Sequence, residues 1–165
     1  MGWIIHLETT PEKRQANLQL IGRMDEHTHF QGVPANMDHF VLDCSMIEGI
    51  NSLGIRAWIQ WIQKLTYKTF HLEKCPKVLV DQFSQVAGFL RKDMIVTSFE
   101  VPYVSEDGLQ EKRVYFSLGA EFDEAGRISA PQVLDQNGKP MEIDAFQDKY
   151  FAFLRKAEST KPSIN

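Results

Sequence analysis

The chain has 165 residues, 43% of them hydrophobic, with a formal net charge of −4 and a pI near 5.7. This is enough apolar material for one core, or one core plus a small appendage. The acidic balance excludes a general nucleic-acid binder, which carries a basic stripe, and no apolar run approaches the roughly 20 residues of a membrane-spanning helix. The N-terminus MGWIIHLE has no basic segment ahead of its apolar residues, so it reads as a first strand and not as a secretory signal. The expected location is the cytoplasm.

Residues 2–9 and 17–22 read as two strands joined by a polar turn over 10–15. Residues 26–32 read as a short helix or irregular loop, and Pro34, Ala35 and Asn36 break the chain after it. Phe40, Val41 and Leu42 form a short apolar run, as expected of a central strand covered on both faces. That strand ends at Leu42-Asp43, and residues 46–50 form a tight loop. A helix over 52–64 follows. It places Ile55, Trp58, Ile59, Ile62 and Leu65 on one face, with Arg56, Gln60, Gln63 and Lys64 elsewhere. Asn51 and Ser52 are both suited to capping it, because a short side-chain oxygen accepts from a free amide of the first turn. A strand over 69–72 and a helix over 76–86 repeat the pattern, with Pro76 at the first helical position and Leu79, Phe83 and Val86 facing inward.

After about residue 94 the texture changes. Segments 94–104 and 111–118 are rich in Val, Phe, Tyr and Thr, and Asp107-Gly108 between them is a hairpin signal. Ala125-Gly126 and Asn137-Gly138 mark two further turns, giving a β-meander of three or four strands. An amphipathic helix closes the chain. Asp144 and Gln147 have the spacing of a capping box, and Ile143, Phe146, Tyr150, Phe153 and Leu154 share a face. The expected organisation is a first domain over 1–94 and a second over 95–165. The two should pack together, because the connection near 91–94 is too short and too poor in Gly, Ser and Pro for a flexible linker.

Few residues suggest chemistry. Two cysteines, Cys44 and Cys75, cannot make a disulfide framework. They suit buried small hydrophobes, or, for Cys75 ahead of a helix, a reactive thiol. No ordered Cys–His pairing accompanies them. In Asp25-Glu26-His27-Thr28-His29, the two histidines would share a face of a strand and could hold a divalent ion with Asp25. The sequence ties no further ligands to them, so no metal is expected and a solvated loop is the plainer reading. No phosphate-binding or nucleophile-elbow motif occurs. The expectation is a non-enzyme without cofactors; an enzyme would rest on the 25–29 cluster alone.

Three short motifs occur in a telling order. Gly22-Arg23-Met24-Asp25-Glu26 is similar to a Gly-x-Leu-Asp turn. Asn51-Ser52-Leu53-Gly54, after the strand ending Leu42-Asp43, stands where an Asp-Ser-Ser/Thr-Gly phospho-loop would be. His71-Leu72-Glu73-Lys74-Cys75-Pro76, followed by Val78, Leu79, Phe83 and Val86, is similar to a fourth strand and third helix. Over roughly its first 95 residues the chain thus resembles a STAS domain, the anti-anti-sigma-factor type of module. The resemblance implies an α/β fold with a STAS-like mixed sheet and helices, followed here by the small β-meander ending in a helix. It also implies a non-catalytic signalling or scaffold module that docks a protein partner. The surface it implies comprises Asn51, Ser52, Leu53, Gly54, Arg56 and Asp25. Leu53 would be an apolar anchor, with Gly49 and Gly54 permitting close approach.

One departure bears on mechanism. The family phosphorylates the Ser or Thr directly before the glycine, and that position is Leu53. Asn51 also replaces the usual Asp. The usual phospho-switch is therefore not expected. Ser52 remains the candidate phosphorylation site, since a helix N-terminus favours phosphate; its plainer reading is an N-cap. Two other readings stand beside partner docking. One is a nucleotide or small-ligand sensor at the same helix start. The other is a homodimer through exposed Trp3, Trp61 and Phe151.

The meander carries a second resemblance. Residues 101–108 (VPYVSEDG) and 130–141 (APQVLDQNGKPM) are similar to the two knuckles of a zinc ribbon that has lost its cysteines. Ser105, Gly108, Leu134 and Asn137 would occupy the ligand positions. None offers a thiolate or imidazole, so no zinc is expected there. In that case Phe146, Tyr150 and Phe153 packed on the meander would replace the metal's contribution to folding. An ordinary hairpin pair is the alternative.

Overall fold

The computed structural model describes residues 2–155. Strands β1 (Ile4–Thr10) and β2 (Gln15–Met24) form an antiparallel hairpin, turned by a short 3-10 segment at Pro11–Lys13. Strands β3 (His39–Ile50), β4 (Thr69–Glu73) and β5 (Met94–Val96) then run parallel to β2, in the spatial order β1-β2-β3-β4-β5. Helix α1 (Ser52–Lys64) joins β3 to β4, and α2 (Lys77–Gln85) lies between β4 and β5. A second, antiparallel sheet contains β6 (Ser98–Val104), β7 (Glu111–Ser117) and β8 (Glu142–Ile143), in the order β7-β6-β8. The fold is mixed α/β.

The row Leu18, Leu42, Leu72 and Val96, in register across four strands, is buried on one face of the first sheet. Trp58 and Ile62 of α1, and Leu79, Val80 and Phe83 of α2, complete that core. Alternate residues point the other way. Asn17, Gln19, Val41, Asp43, His71 and Glu73 form a face that no helix among the described residues covers, and none of them is fully buried. The expectation of a central strand covered on both faces is therefore corrected. Phe40 and Leu42 point inward, while Val41 lies among polar neighbours.

Strand β3 is longer than its apolar run. The expected loop over 46–50 is instead a continuation of the strand, paired with the end of β2 as far as Met24 and Ile50. Two register shifts each place one extra residue on β3, near Ser45 and near Glu48. Asp43 supports the first: its Oδ1 accepts from the Ser45 amide at 2.9 Å and from the Ser45 hydroxyl at 2.6 Å. The shifts let Cys44 and Ile47 both turn inward, a spacing that strict alternation hides.

The parallel crossover from β2 to β3 usually requires a helix. Here residues 25–38 contain none, and Phe30 supplies the packing. Its ring stacks on Trp61 at 4.1 Å and meets Trp3 and Trp58 edge-on at 5.8 and 6.2 Å. Trp3 Nε1 donates to the His29 carbonyl at 2.8 Å. Phe151 is buried, stacked on Phe116 at 6.0 Å. The three aromatics expected to be exposed for a homodimer are thus engaged within the chain.

The closing helix also differs from expectation. It is a single turn, α3 (Gln147–Tyr150), followed by a 3-10 turn at Ala152–Arg155. Asp144 does not cap it. The Asp144 amide instead donates to the Pro102 carbonyl at 2.8 Å, continuing the β8 ladder, so the helix starts too late for a capping box. Phe146 occupies the N-cap position and is 88% exposed. Phe151 takes the inward place expected of Phe146, beside Tyr150 and Phe153.

The expected boundary at 94/95 falls within β5, the edge strand of the first sheet. Beyond it, Phe99 of β6 makes a parallel bridge with Cys75. Phe99 is fully buried against Phe116, Phe122, Tyr150, Phe151 and Phe153, and Phe153 in turn meets Phe83 of α2 at 5.2 Å. One core serves both sheets. All three tryptophans lie in residues 1–94, so their fluorescence reports on the first sheet and its helices. Phe99→Ala should cost about 3–5 kcal/mol in urea unfolding. Fluorescence and far-UV circular dichroism should shift together; separate transitions would show that the sheets unfold independently.

Candidate functional site

The ends of β2 and β3 are held together by α1. Met24 and Ile50 are cross-strand partners, and the Asn51 amide donates to the Met24 carbonyl at 3.0 Å. Gly54, in the first turn of α1, is buried directly against Met24; a Cβ there would overlap the Met24 carbonyl oxygen. Asp25 follows at once. Its amide donates to Thr28 Oγ1 at 2.8 Å, and its carboxylate accepts from the His27 amide at 2.9 Å. The Gly22–Asp25 and Asn51–Gly54 motifs, almost thirty residues apart in sequence, therefore meet at one end of the first sheet.

Asn51 is the cap of α1. Its Oδ1 accepts from the amides of Leu53 and Gly54, each at 3.0 Å. Ser52 is the first helical residue, which corrects its reading as the N-cap. Ser52, Leu53 and Arg56 are exposed, Asp25 and Asn51 are half-buried, and Gly54 is buried. Leu53 is 45% exposed. Glycine serves the chain itself here. Gly54 admits the Met24 backbone, and Gly49 lies under the Arg23 side chain. The expectation that both glycines make room for a partner is corrected.

This geometry also bears on anion binding. The Leu53 and Gly54 amides are already occupied, so a phosphate could reach them only by displacing the Asn51 side chain. Among the described residues no group of three or more His, Cys, Asp or Glu could hold a metal ion. His27 instead lies 3.9 Å from Glu26. Cys44 and Cys75 are both free and buried. Burial, and then the adjacent Cys44, push the Cys75 thiol well up from its ordinary value, so it is not the reactive thiol that a helix start suggests.

In the second sheet, the two knuckle-like turns meet. Ser105 is buried, and its hydroxyl donates to Asp107 Oδ1 at 2.6 Å and accepts from the Gln110 amide at 3.0 Å. Gln110 Oε1 accepts from the Gln136 amide at 2.8 Å, and Lys112 Nζ donates to the Leu134 carbonyl at 2.6 Å. These hydrogen bonds tie the first turn to the second. The Ser105 hydroxyl, and then the Leu109 amide, hold the Asp107 carboxyl below its usual range.

The uncovered face of the first sheet was missed by motif reading. Its signal is present in the sequence: His6 and Glu8 in β1, and Asn17 and Gln19 in β2, recur with a period of two. Comparison with known proteins finds no matching family model, no matching curated protein and no matching solved structure.

Two predictions follow from these contacts. Asn51→Ala should cost about 1 kcal/mol and Gly54→Ala about 1–3 kcal/mol, both read by urea unfolding. The second concerns acid. A carboxyl depressed in the folded state contributes stability above its unfolded value, about 3.9 for Asp, and loses it as pH falls through the folded value. Asp107 is such a group, and so is Asp38, which accepts from Arg14 Nε at 2.6 Å. Unfolding midpoints should therefore fall as pH drops below about 4, and Asp107→Asn should flatten that fall.

Proposed function

We propose that the chain is a non-catalytic signalling or scaffold module of STAS type that docks a protein partner through the start of α1. The observation that carries this reading is Leu53, a large apolar side chain held outward beside the Asn51 cap. Asn51 and the Met24–Gly54 contact make its position rigid, so little conformational freedom is lost on docking. Ser52 and Arg56 give the anchor a polar rim, an arrangement common in interfaces. The meeting of the Gly22–Asp25 and Asn51–Gly54 motifs supports the resemblance to STAS domains. The joined turns at Ser105 and Leu134 support a ribbon-like second sheet that is held without metal.

The partner contact is constitutive in this reading, because Leu53 has no hydroxyl to modify. A phosphate on Ser52 would add charge directly beside the anchor, with Arg56 four residues on along the helix. The nucleotide-sensor reading is weaker, since Asn51 already occupies two amides of the helix start. No helix among the described residues is long and apolar enough to cross a membrane.

Pull-down from native cells, read by mass spectrometry, tests the proposal. A specific partner should be held by wild type and lost by Leu53→Arg, while Leu109→Arg keeps it. Leu109 is a control because it is also exposed, at the tip of the β6–β7 hairpin. Affinity of the purified partner should fall at least tenfold with Leu53→Arg; equal affinities would refute this placement of the surface.

A further inference from the structure

The first sheet has one long free edge. All seven residues of β1 pair with β2. Among the described residues, no other strand and no loop backbone hydrogen-bonds to Ile4–Thr10. In an antiparallel ladder alternate residues direct their N–H and C=O groups away from the partner, so half of this strand's backbone groups face outward. The other edges are blunted. At the far side β5 has only three residues, preceded by Lys92 and Asp93. In the second sheet β8 has two residues, and β7 begins Glu111-Lys112-Arg113. Natural edges are protected by lysine, proline, bulges or short length. The sequence IIHLETT of β1 contains no lysine or proline, and its register is unbroken. Two of its aliphatic side chains, Ile4 and Leu7, are exposed.

We infer that β1 pairs with β1 of a second copy, joining two five-stranded sheets into one continuous sheet across a two-fold axis at Leu7. The register follows from charge and facing. An axis perpendicular to the sheet keeps the core faces of both copies on the same side, which requires the axis to pass through a residue and not between two. Centred on Leu7, all seven residues are paired. His6 lies opposite Glu8 of the second copy, and Glu8 opposite its His6. Leu7 meets Leu7, and Ile5 meets Thr9 on the core face. Centred on Glu8, two carboxylates would face each other, which is unfavourable. Centred on His6, Ile4 would lie opposite Glu8 and two imidazoles would meet. Only the Leu7 register combines full overlap with an imidazole opposite each Glu8 carboxylate. This surface is distinct from the start of α1 and does not depend on the reading of that site.

Sedimentation equilibrium tests it, with the full chain from low to high micromolar concentration. The mass should rise from the monomer's 19.0 kDa toward twice that value. His6→Glu places a carboxylate opposite Glu8 and should weaken association at least tenfold. His6→Glu combined with Glu8→Lys places opposite charges at the paired positions and should recover wild-type association. Both positions are exposed, and circular dichroism should show each variant folded. Hydrogen exchange should show alternate amides of residues 4–10 gaining protection with concentration. Leu53→Arg should leave association unchanged. A chain that stays monomeric at every concentration, a dimer that is unaffected by His6→Glu, or a failure of the double variant to recover would overturn the inference.

Discussion

The Cys75 amide donates to the Ser98 carbonyl at 3.1 Å, and the Cys75 carbonyl accepts from the Glu100 amide at 2.8 Å. Through this pair of bonds the chain leaving β4 grips β6 just after β5 has finished the first sheet. Thr97 adds to the joint: its amide donates to the Leu72 carbonyl, and its own carbonyl accepts from the Leu118 amide, each within 2.9 Å. The two sheets are thereby clamped at their junction by backbone. Phe99 at the bridge is forced into the space between α2 and the second sheet, where five other rings close around it. The position of α2, the direction of β6 and the inward turn of Phe151 all follow from where that ring sits. Tyr150 reinforces the arrangement, donating its hydroxyl to the Glu100 carbonyl at 2.5 Å.

The start of α1, which follows the C-terminal ends of β2 and β3, obeys a different constraint. There the Asn51 side chain, from the same chain, already occupies two amides of the first turn of α1. The docking proposed for it would rest on shape and apolar contact, with charge in a supporting role. In the proposed STAS-type reading, exposed Leu53 takes the place of a switchable hydroxyl.

How far the sequence revealed this structure depends on which physical signal each element carries. The expected helix over 52–64 matches α1 at both ends, because a strong cap and a 3.6-residue apolar period coincide there. Asp107-Gly108 marked its hairpin because a turn needs little context. The path from 25 to 38 was illegible: Phe30 replaces a helix by ring stacking with Trp61, a contact that no local pattern announces. The one-sided burial of the sheet was legible only through the period-two polar residues of β1, β2 and β3. The apolar triplet at Phe40 masked it. Phe146 and Phe151 exchanged their expected roles because the Asp144 amide stayed with the β8 ladder, which is a tertiary choice. Of the proposed site, the residues were visible in the sequence. Their meeting in space was not, because it depends on β3 continuing to Ile50.

The two extra residues of β3 have a consequence for how the chain tolerates change in length. In a regular strand, deleting one residue reverses the facing of everything beyond it. In β3 the surplus residues near Ser45 and Glu48 are already outside the regular ladder, so loss of either could be absorbed by straightening the strand locally while Phe40, Leu42 and the cap at Asn51 keep their places. The segment leading into the proposed docking site is thus a natural point for insertions and deletions among descendants of this chain, one that leaves Leu53 and the core where they are.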